Sequence, residues 1–272
     1  NCPLIASKIC LFFSFICFYS CRFYCIHFKE YLTICSFWGI TKNKYKDGKF
    51  DTELYLRKLL RWADENPEKN ASQIGPSTSK ALDLLRAGKS YVESGKYGTT
   101  NGSAMKVSPL GILHDYHDIK GLVDDVCKLC LPTHNTSIAI AGASVIATLS
   151  SYALRHEYNE GEIWSLAKRA IEEGMKHGNQ LPSASLSKRI DLIRQDITTL
   201  SEKEVLEKLE IVYGVGFETI ETIPAVLAMI ILSKGNPMKS AQLSAYILQG
   251  IVIRLVLYPL LSVAHFIQNL IV

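Results

Sequence analysis

Past Cys35 the sequence is nearly without cysteine. Six of the eight cysteines stand at Cys2, Cys10, Cys17, Cys21, Cys25 and Cys35, and only Cys127 and Cys130 follow. A secreted domain stapled by disulfides spreads its cysteines through the fold. The distribution excludes such a framework and predicts a reduced, cytoplasmic core. Charge of one sign is scarce too. The formal net charge is +4, and the central region has no basic run interleaved with aromatics, so no nucleic-acid partner is implied. Strand pairs joined by a hairpin turn are missing, and the expected fold class is all-α. Acidic pairs are missing from the first 47 residues, where Asp47 is the only aspartate.

Residues 1–46 differ from the rest. Seven of the ten phenylalanines fall before residue 41, a composition foreign to a soluble helical domain. The uninterrupted apolar run, Ile9 to Cys21, has 13 residues, short of the ~18–20 that a membrane span needs. Ile9 to Phe28 is long enough only with Arg22 inside it. Two readings stand: a signal or membrane segment, and a translation outside the domain's own reading frame. The second is preferred. A first residue Asn1 in place of Met is what a piece of a longer reading frame would show. The last stretch, 247–272, is again apolar, with Arg254 its only full charge. It reads as a membrane helix that tolerates Pro259 or as a second segment out of frame.

Between them, 47–246 reads as one helical domain. Asp51 or Thr52 caps a helix to about Glu65, with Leu56, Leu59, Leu60 and Ala63 on one face. Ser77 to Ala87 is a second helix, closed by Gly88. Leu113 to Leu131 is helical in part, and Pro132 breaks it. Ser137 to Arg155 is almost all Ala, Ile, Val, Leu, Ser and Gly, a helix buried on most of its surface. Amphipathic helices follow at 162–176 and 186–200. Ser201 and Glu204 form a capping box opening a helix to about Val212. Phe217 to Ser233 is apolar and interrupted by Pro224, and Asn236-Pro237 opens a helix to about Ala245.

The stretch Gly98-Thr-Thr-Asn-Gly-Ser-Ala-Met-Lys-Val-Ser-Pro-Leu-Gly111 is too irregular for a strand. Its glycines permit close backbone approach and positive φ. Its turn-type N–H groups can form an anion-binding nest, and a helix starting near Ser103 would aim free N–H groups at the same point. On these grounds alone it reads equally as a loop before a buried helix.

Asn101-Gly-Ser-Ala-Met-Lys-Val-Ser-Pro-Leu-Gly111 resembles the Asn-Gly-Ala/Ser-Ala-Met-Arg-x-x-Pro-hydrophobic-Gly signature of the ADP-ribosylglycohydrolase family. Pro132-Thr-His-Asn-Thr-Ser-Ile-Ala-Ile-Ala-Gly-Ala143 is similar to that family's Thr-His-x-x-x-x-Ala-x-x-Gly-Ala. Tyr213-Gly-Val-Gly-Phe-Glu-Thr-Ile-Glu-Thr-Ile-Pro-Ala-Val-Leu-Ala228 is similar to its Gly-x-Gly…Glu-x-x-Pro-Ala segment. The resemblance covers roughly 48–245, in the right order.

The resemblance implies a compact all-α domain that hydrolyses ADP-ribosyl N- or O-glycosidic bonds in a central cleft. The partner implied is an ADP-ribosylated protein or an ADP-ribose-type small molecule, and a membrane only if the terminal apolar segments are genuine. Two Mg²⁺ ions are implied, held by Thr-Asp-Asp-Thr near the family's start and Asp-Thr/Ser-Asp-Thr near its end. Hard Mg²⁺ needs converging carboxylates, and neither string occurs here. Little or no turnover is therefore expected. Gln249 to Tyr258 admits codons whose next frame reads Gly-Asp-Ser-Asp-Thr-Ile-Gly-Ala-Ile, so the tail is expected to be a frameshifted copy of the missing string. The ligand-holding half remains. Asn101, Gly102, Ser103, Ala104 and Met105 match the part that lies against the ligand's phosphates and ribose. Lys106 stands where the family usually has Arg, keeping the charge and losing the bidentate fork. His134 is implied to hydrogen-bond the ligand; by itself it also reads as a helix-start histidine bonded to backbone.

Other residues carry weaker signals. His114, Asp115, His117 and Asp118 look like metal donors, but their spacing does not face one ion. Cys127-x-x-Cys130 lacks a second pair. Asp124-Asp125 reads as a solvated helix face. Glu218 and Glu221 are three apart in the third matched segment, and are held as groups standing behind the ligand contacts.

Overall fold

Asp51 caps the first helix among the described residues, accepting the Leu54 N–H at 3.0 Å. This computed structural model describes residues 50–65, 67–68 and 74–247. The readings made of 1–46 and of 248–272 lie outside the described residues. The chain divides into two units, 1–74 and 75–272. In the first, α1 (Thr52–Glu65) buries Tyr55, Leu59 and Ala63. That row is spaced four apart, and Leu56 and Leu60 stand beside it half-buried. Tyr55 leads the face where the sequence suggested leucines, and its ring meets Phe50 at 6.0 Å between centroids.

The second unit starts with α2 (Pro76–Arg86) and α3 (Tyr91–Ser94). A 3₁₀ turn (Ala104–Lys106) and α4 (Ser108–Leu113) follow. Then come α5 (Ile119–Cys130), α6 (Ser137–Ala153) and α7 (Glu160–Gly174). After α8 (Leu186–Thr199), α9 (Glu202–Lys208) runs into a π turn (Leu209–Tyr213). The described chain closes with α10 (Thr219–Leu232) and α11 (Pro237–Tyr246). The fold is all-α. Among the described residues the only β contacts are two isolated bridges, Thr100 with Glu218 and Thr136 with Asn179.

Helix α6 is the axis, with α4, α5, α7 and α10 packed around it. Every residue from Ser137 to Tyr152 is buried. Small residues allow this on all sides, because they admit neighbouring backbones at contact distance. A Cβ on Gly111 of α4 would lie 2.1 Å from the Ala147 carbonyl oxygen, and one on Gly174 of α7 would lie 2.6 Å from the Ala141 Cα. Two buried hydroxyls in α6 bond within the helix, Ser144 to the Ile140 carbonyl and Ser150 to the Ile146 carbonyl. Ser151 donates to the His114 carbonyl, and Thr148 Oγ1 meets no partner among the described residues.

The caps read from the sequence hold: Asn236 accepts the Lys239 N–H, and Ser201 with Glu204 forms the reciprocal box. Asn159 and Ser185, which the sequence reading did not single out, cap α7 and α8 in the same way. Gly88, at φ 82°, closes α2. Three details differ from the sequence reading. No α-helix starts at Ser103; only the short 3₁₀ turn forms before Pro109 enters α4. Helix α9 ends early, its last turn widened to π at 209–213. Pro224 does not interrupt α10, which is continuous through it. A proline has no N–H for the carbonyl four residues back, here that of Ile220. The Arg189 guanidinium from α8 takes that role, donating to Ile220 O at 3.3 Å and to Tyr213 O at 2.6 Å.

Candidate functional site

Loop 98–106 lies where the three matched segments meet. From the third segment, the Phe217 carbonyl accepts the Asn101 N–H at 2.8 Å, and Asn101 Nδ2 donates to Thr222 Oγ1 at 3.1 Å. The Thr219 N–H and hydroxyl both donate to the Thr99 carbonyl. From the second segment, Thr136 Oγ1 donates to the Gly98 carbonyl at 2.6 Å. Ser103 Oγ donates to the Ala139 carbonyl on α6 at 3.1 Å. The loop is thus tied on two sides by polar bonds, most of them buried.

The glycines here serve approach, not handedness. None of Gly98, Gly102 and Gly111 has a positive φ. A Cβ on Gly98 would stand 2.2 Å from the Thr133 carbonyl oxygen, and one on Gly102 would stand 2.8 Å from the His134 ring. Gly214, in the third segment, needs both: φ is 80°, and the Glu221 carboxyl carbon would be 2.6 Å from its Cβ.

Asn101, Ser103 and Ala104 are buried, while Gly102, Met105 and Lys106 are half-buried at the loop's outer edge. The N–H groups of Gly102, Ser103 and Ala104 make no well-formed hydrogen bond within the described residues. Three successive unused N–H groups are what an anion nest requires.

His134 is fully enclosed, at 0% exposure. Its Nδ1 lies 2.7 Å from Thr133 Oγ1, and its Nε2 lies 3.1 Å from Thr100 Oγ1. Burial, and then the nearby Lys106 charge, hold its pKa well below the usual imidazole value. The ring is therefore neutral at pH 7. Lys106 Nζ donates to Thr133 Oγ1 at 2.9 Å, and Thr100 Oγ1 contacts Ser77 Oγ at 2.9 Å.

The other sequence candidates disperse. His117 Nδ1 and N–H meet Asp115 Oδ1. Asp118 caps α5 through the Gly121 N–H. His114 Nε2 meets Asp125 Oδ2 at 3.1 Å. Asp125 corrects the reading of a solvated pair: Asp124 is exposed, but Asp125 is buried and takes Lys128 Nζ at 2.6 Å besides His114. Cys127 and Cys130 are free thiols; burial raises the pKa of both, that of Cys130 to about 12. Neither thiolate forms near neutrality, so neither is a nucleophile. Glu221 accepts the Gly216 N–H at 2.8 Å and braces the glycine turn. Glu218 acts through its backbone, its carbonyl accepting the Glu221 and Thr222 N–H groups.

Sequence reasoning missed Thr219, Thr222 and Arg189. Pro224 was the signal for Arg189, since a proline inside a buried helix leaves a carbonyl that needs a donor. It also missed Asp196, which accepts the Tyr213 hydroxyl at 2.5 Å and Lys208 Nζ at 2.8 Å. A cavity of about 300 Å³ opens elsewhere, lined by Ser137, Ile138, Ile171, Met175 and Leu186 with the 180–187 segment. No residue of 98–111 lines it.

The sequence matches the ADP-ribosylglycohydrolase family over residues 30–250. The chain belongs to the ADP-ribosylglycohydrolase family. The match starts inside the 1–46 stretch and spans all three segments around the loop. The chain is also similar to the uncharacterised protein YegU of Escherichia coli K12, 35% identical over 205 residues, which cover 74% of this chain and 60% of YegU. An uncharacterised protein of Archaeoglobus fulgidus is 25% identical over 158 residues, covering 56% of this chain and 50% of that protein. This chain therefore spans between half and two thirds of the length of these relatives.

The two Mg²⁺ ions that the resemblance implies find no set of free converging donors among the described residues. Among those residues no three His, Cys, Asp or Glu side chains converge as a metal group. Asp125, Asp196 and Glu221 are each already engaged by protein donors. No helix among the described residues is long and apolar enough to cross a membrane.

Proposed function

We propose that this chain carries the ADP-ribose-holding half of an ADP-ribosylglycohydrolase, and that as written it binds ADP-ribosyl groups with little or no hydrolysis. The cradle carries the reading. Three unused N–H groups at Gly102, Ser103 and Ala104 lie in a loop fixed by both other matched segments. Backbone N–H groups in such a turn suit the oxygens of a pyrophosphate. Lys106, half-buried two residues on, adds positive charge near them. Asn101 is held on Phe217 and Thr222, which fixes where the cradle begins. The free thiols of half-buried Cys127 and buried Cys130 agree with a reducing compartment such as the cytoplasm.

Magnesium belongs to the hydrolytic step. It supplies charge stabilisation and an activated water, and no step is derived through it from the residues described. The experiment is a pair of measurements on the chain as written. Calorimetry with ADP-ribose, against AMP and ribose 5-phosphate, is expected to find binding that needs the pyrophosphate. An assay of ADP-ribose release from modified Arg or Ser substrates with Mg²⁺ is expected to stay far below the ~1 s⁻¹ of an ordinary enzyme. Absence of ADP-ribose binding overturns the binding reading, and turnover at ordinary rates overturns the inactivity.

A further inference from the structure

Helix α8 passes behind the third matched segment and carries Arg189 and Asp196 seven residues apart. Seven residues are about two turns, so both lie on one face. Asp196 accepts the Tyr213 hydroxyl. Arg189 Nη1 donates to two backbone carbonyls, Tyr213 O at 2.6 Å and Ile220 O at 3.3 Å. The direction of these two bonds is fixed, since a guanidinium only donates and a carbonyl only accepts. Nη1 carries two hydrogens, one for each carbonyl.

Both carbonyls are ones that the backbone leaves in need of a donor. Tyr213 ends the π turn, and the last carbonyls of a helical run have no N–H ahead of them. Ile220 stands four residues before Pro224, which has no N–H to give. Between the two carbonyls lies the strap 214–219, and the strap holds the cradle. Its Phe217 carbonyl accepts the Asn101 N–H, and Thr219 gives two bonds to the Thr99 carbonyl. Glu218 forms a β-bridge with Thr100. The strap therefore meets the loop at the residues just before Gly102, Ser103 and Ala104.

We infer that Arg189 is a positioning residue for the cradle: by pinning both ends of 214–219 to α8, it sets where the strap presents Phe217 and Thr219 to loop 98–106. Among the described residues both its hydrogen bonds go to the ends of the strap. The bonds of Gly216 to Glu221 and Thr222 shape the strap from within, whereas the Arg189 bonds tie it to a separate helix. Pro224 makes the role separable. An alanine at 224 would return an N–H to the Ile220 carbonyl, and half of what Arg189 does would pass to the helix itself. The inference rests on the binding reading above for the identity of the ligand, not for the geometry.

The test begins without ligand, by amide hydrogen exchange on the full chain. Arg189→Met keeps an apolar stem and removes the donor. The Asn101 and Thr219 amides should then speed up about tenfold more than those of Ala143 and Ala167, buried in α6 and α7, tenfold being the scale of one hydrogen bond. An arginine that only stabilises the fold would speed all four alike, and that result overturns the inference. If Arg189→Met does not fold, Arg189→Lys takes its place, with the charge kept on a shorter stem. The same preference, smaller in size, is expected there, and equal acceleration again overturns the inference. Calorimetry with ADP-ribose adds the functional readout. Arg189→Met should bind about tenfold more weakly than wild type. In a Pro224→Ala background the same substitution should cost only about threefold, one of the two bonds having been replaced. Equal costs in the two backgrounds, or wild-type affinity in a folded Arg189→Met, overturn the positioning role. If wild type binds no ADP-ribose, the binding reading fails, while the exchange rates still test the strap.

Discussion

His134 and His117 each have a hydrogen-bonding side chain one or two residues away, and the protein treats them in opposite ways. His117 pairs with Asp115 at 2.7 Å, and both side chains are more than half exposed, at 72% and 57%. His134 pairs with hydroxyls only, in a space closed to solvent, with Lys106 placed at the end of the chain of bonds. An ion pair in water gains little, because both partners were already well solvated. Inside the protein a charge must recover its lost hydration, and hydroxyl partners avoid that cost while giving both ring nitrogens a bond. Asp125 shows the intermediate solution. A carboxylate that is buried takes two donors, His114 and Lys128. Burial, more than residue type, decides which polar groups hold this fold and which decorate it.

The largest break in that contrast should come from crowding the interior side. In Gly98→Ala the new Cβ would stand 2.2 Å from a backbone oxygen of Thr133, which no side-chain rotation relieves. Separation of loop 98–106 from the 133–136 segment should cost about 3 kcal/mol, read as a lower urea midpoint. Gly161→Ala is the control. Its Cβ would meet nothing closer than Asn159 Oδ1 at 3.4 Å, and at a helical position alanine is the better residue by up to ~1 kcal/mol. Equal midpoints for the two variants would mean that the loop yields, and the interior would not be the rigid side of the comparison.

Much of this arrangement could be read from the sequence. The Ala, Ser and Gly content of α6 gave a helix buried on most of its surface, and the caps at Asp51, Ser201 and Asn236 gave three of the helix starts. The three matched segments pointed to one place, and they meet there. What could not be read are facts that depend on packing. Asp124 and Asp125 are adjacent and identical in type, but only Asp125 faces the core. The glycines of 98–111 permitted either close approach or positive φ, and packing alone decides for close approach, to Thr133, His134 and Ala147. His134 was expected to face a ligand, and no local pattern reveals that both its nitrogens are occupied by threonines. Arg189 was invisible because its partners, two backbone carbonyls, have no residue identity.

The second test is a pH profile, which separates the two histidine environments. His134 has its folded pKa well below the free value. Between the free value near 6.5 and that lower folded value, the unfolded chain binds a proton that the folded chain refuses. Stability is then full above pH ~6.5 and falls as pH drops, by about 1.4 kcal/mol per unit for one proton. His134→Gln keeps a side-chain donor that reaches Thr100 and removes the titration. Its stability should be flatter in that window than wild type. An identical slope in both proteins would show that His134 accepts its proton in place.

The smallest effect is predicted at the exposed corner. The Asp115 carboxyl is held below the usual carboxylate range, first by the His117 backbone N–H, then by the His117 ring. A depressed carboxylate adds stability above its unfolded pKa and loses it as pH falls through the folded one. Any contribution of Asp115 is therefore confined to acid and is absent from the window that tests His134. Solvent reaches both partners, so screening at 0.15 M salt, with a Debye length of ~8 Å, removes most of it. Asp115→Asn should leave the melting midpoint at neutral pH within the scatter of repeated scans. Asp125→Asn, with a side chain only 6% exposed, should lower it measurably, since an amide offers Lys128 and His114 a weaker partner in a buried place. Equal shifts for the two would sink the argument that burial separates them. A large shift from Asp115 alone would place the stabilising polar groups at the surface, where the geometry gives them least to do.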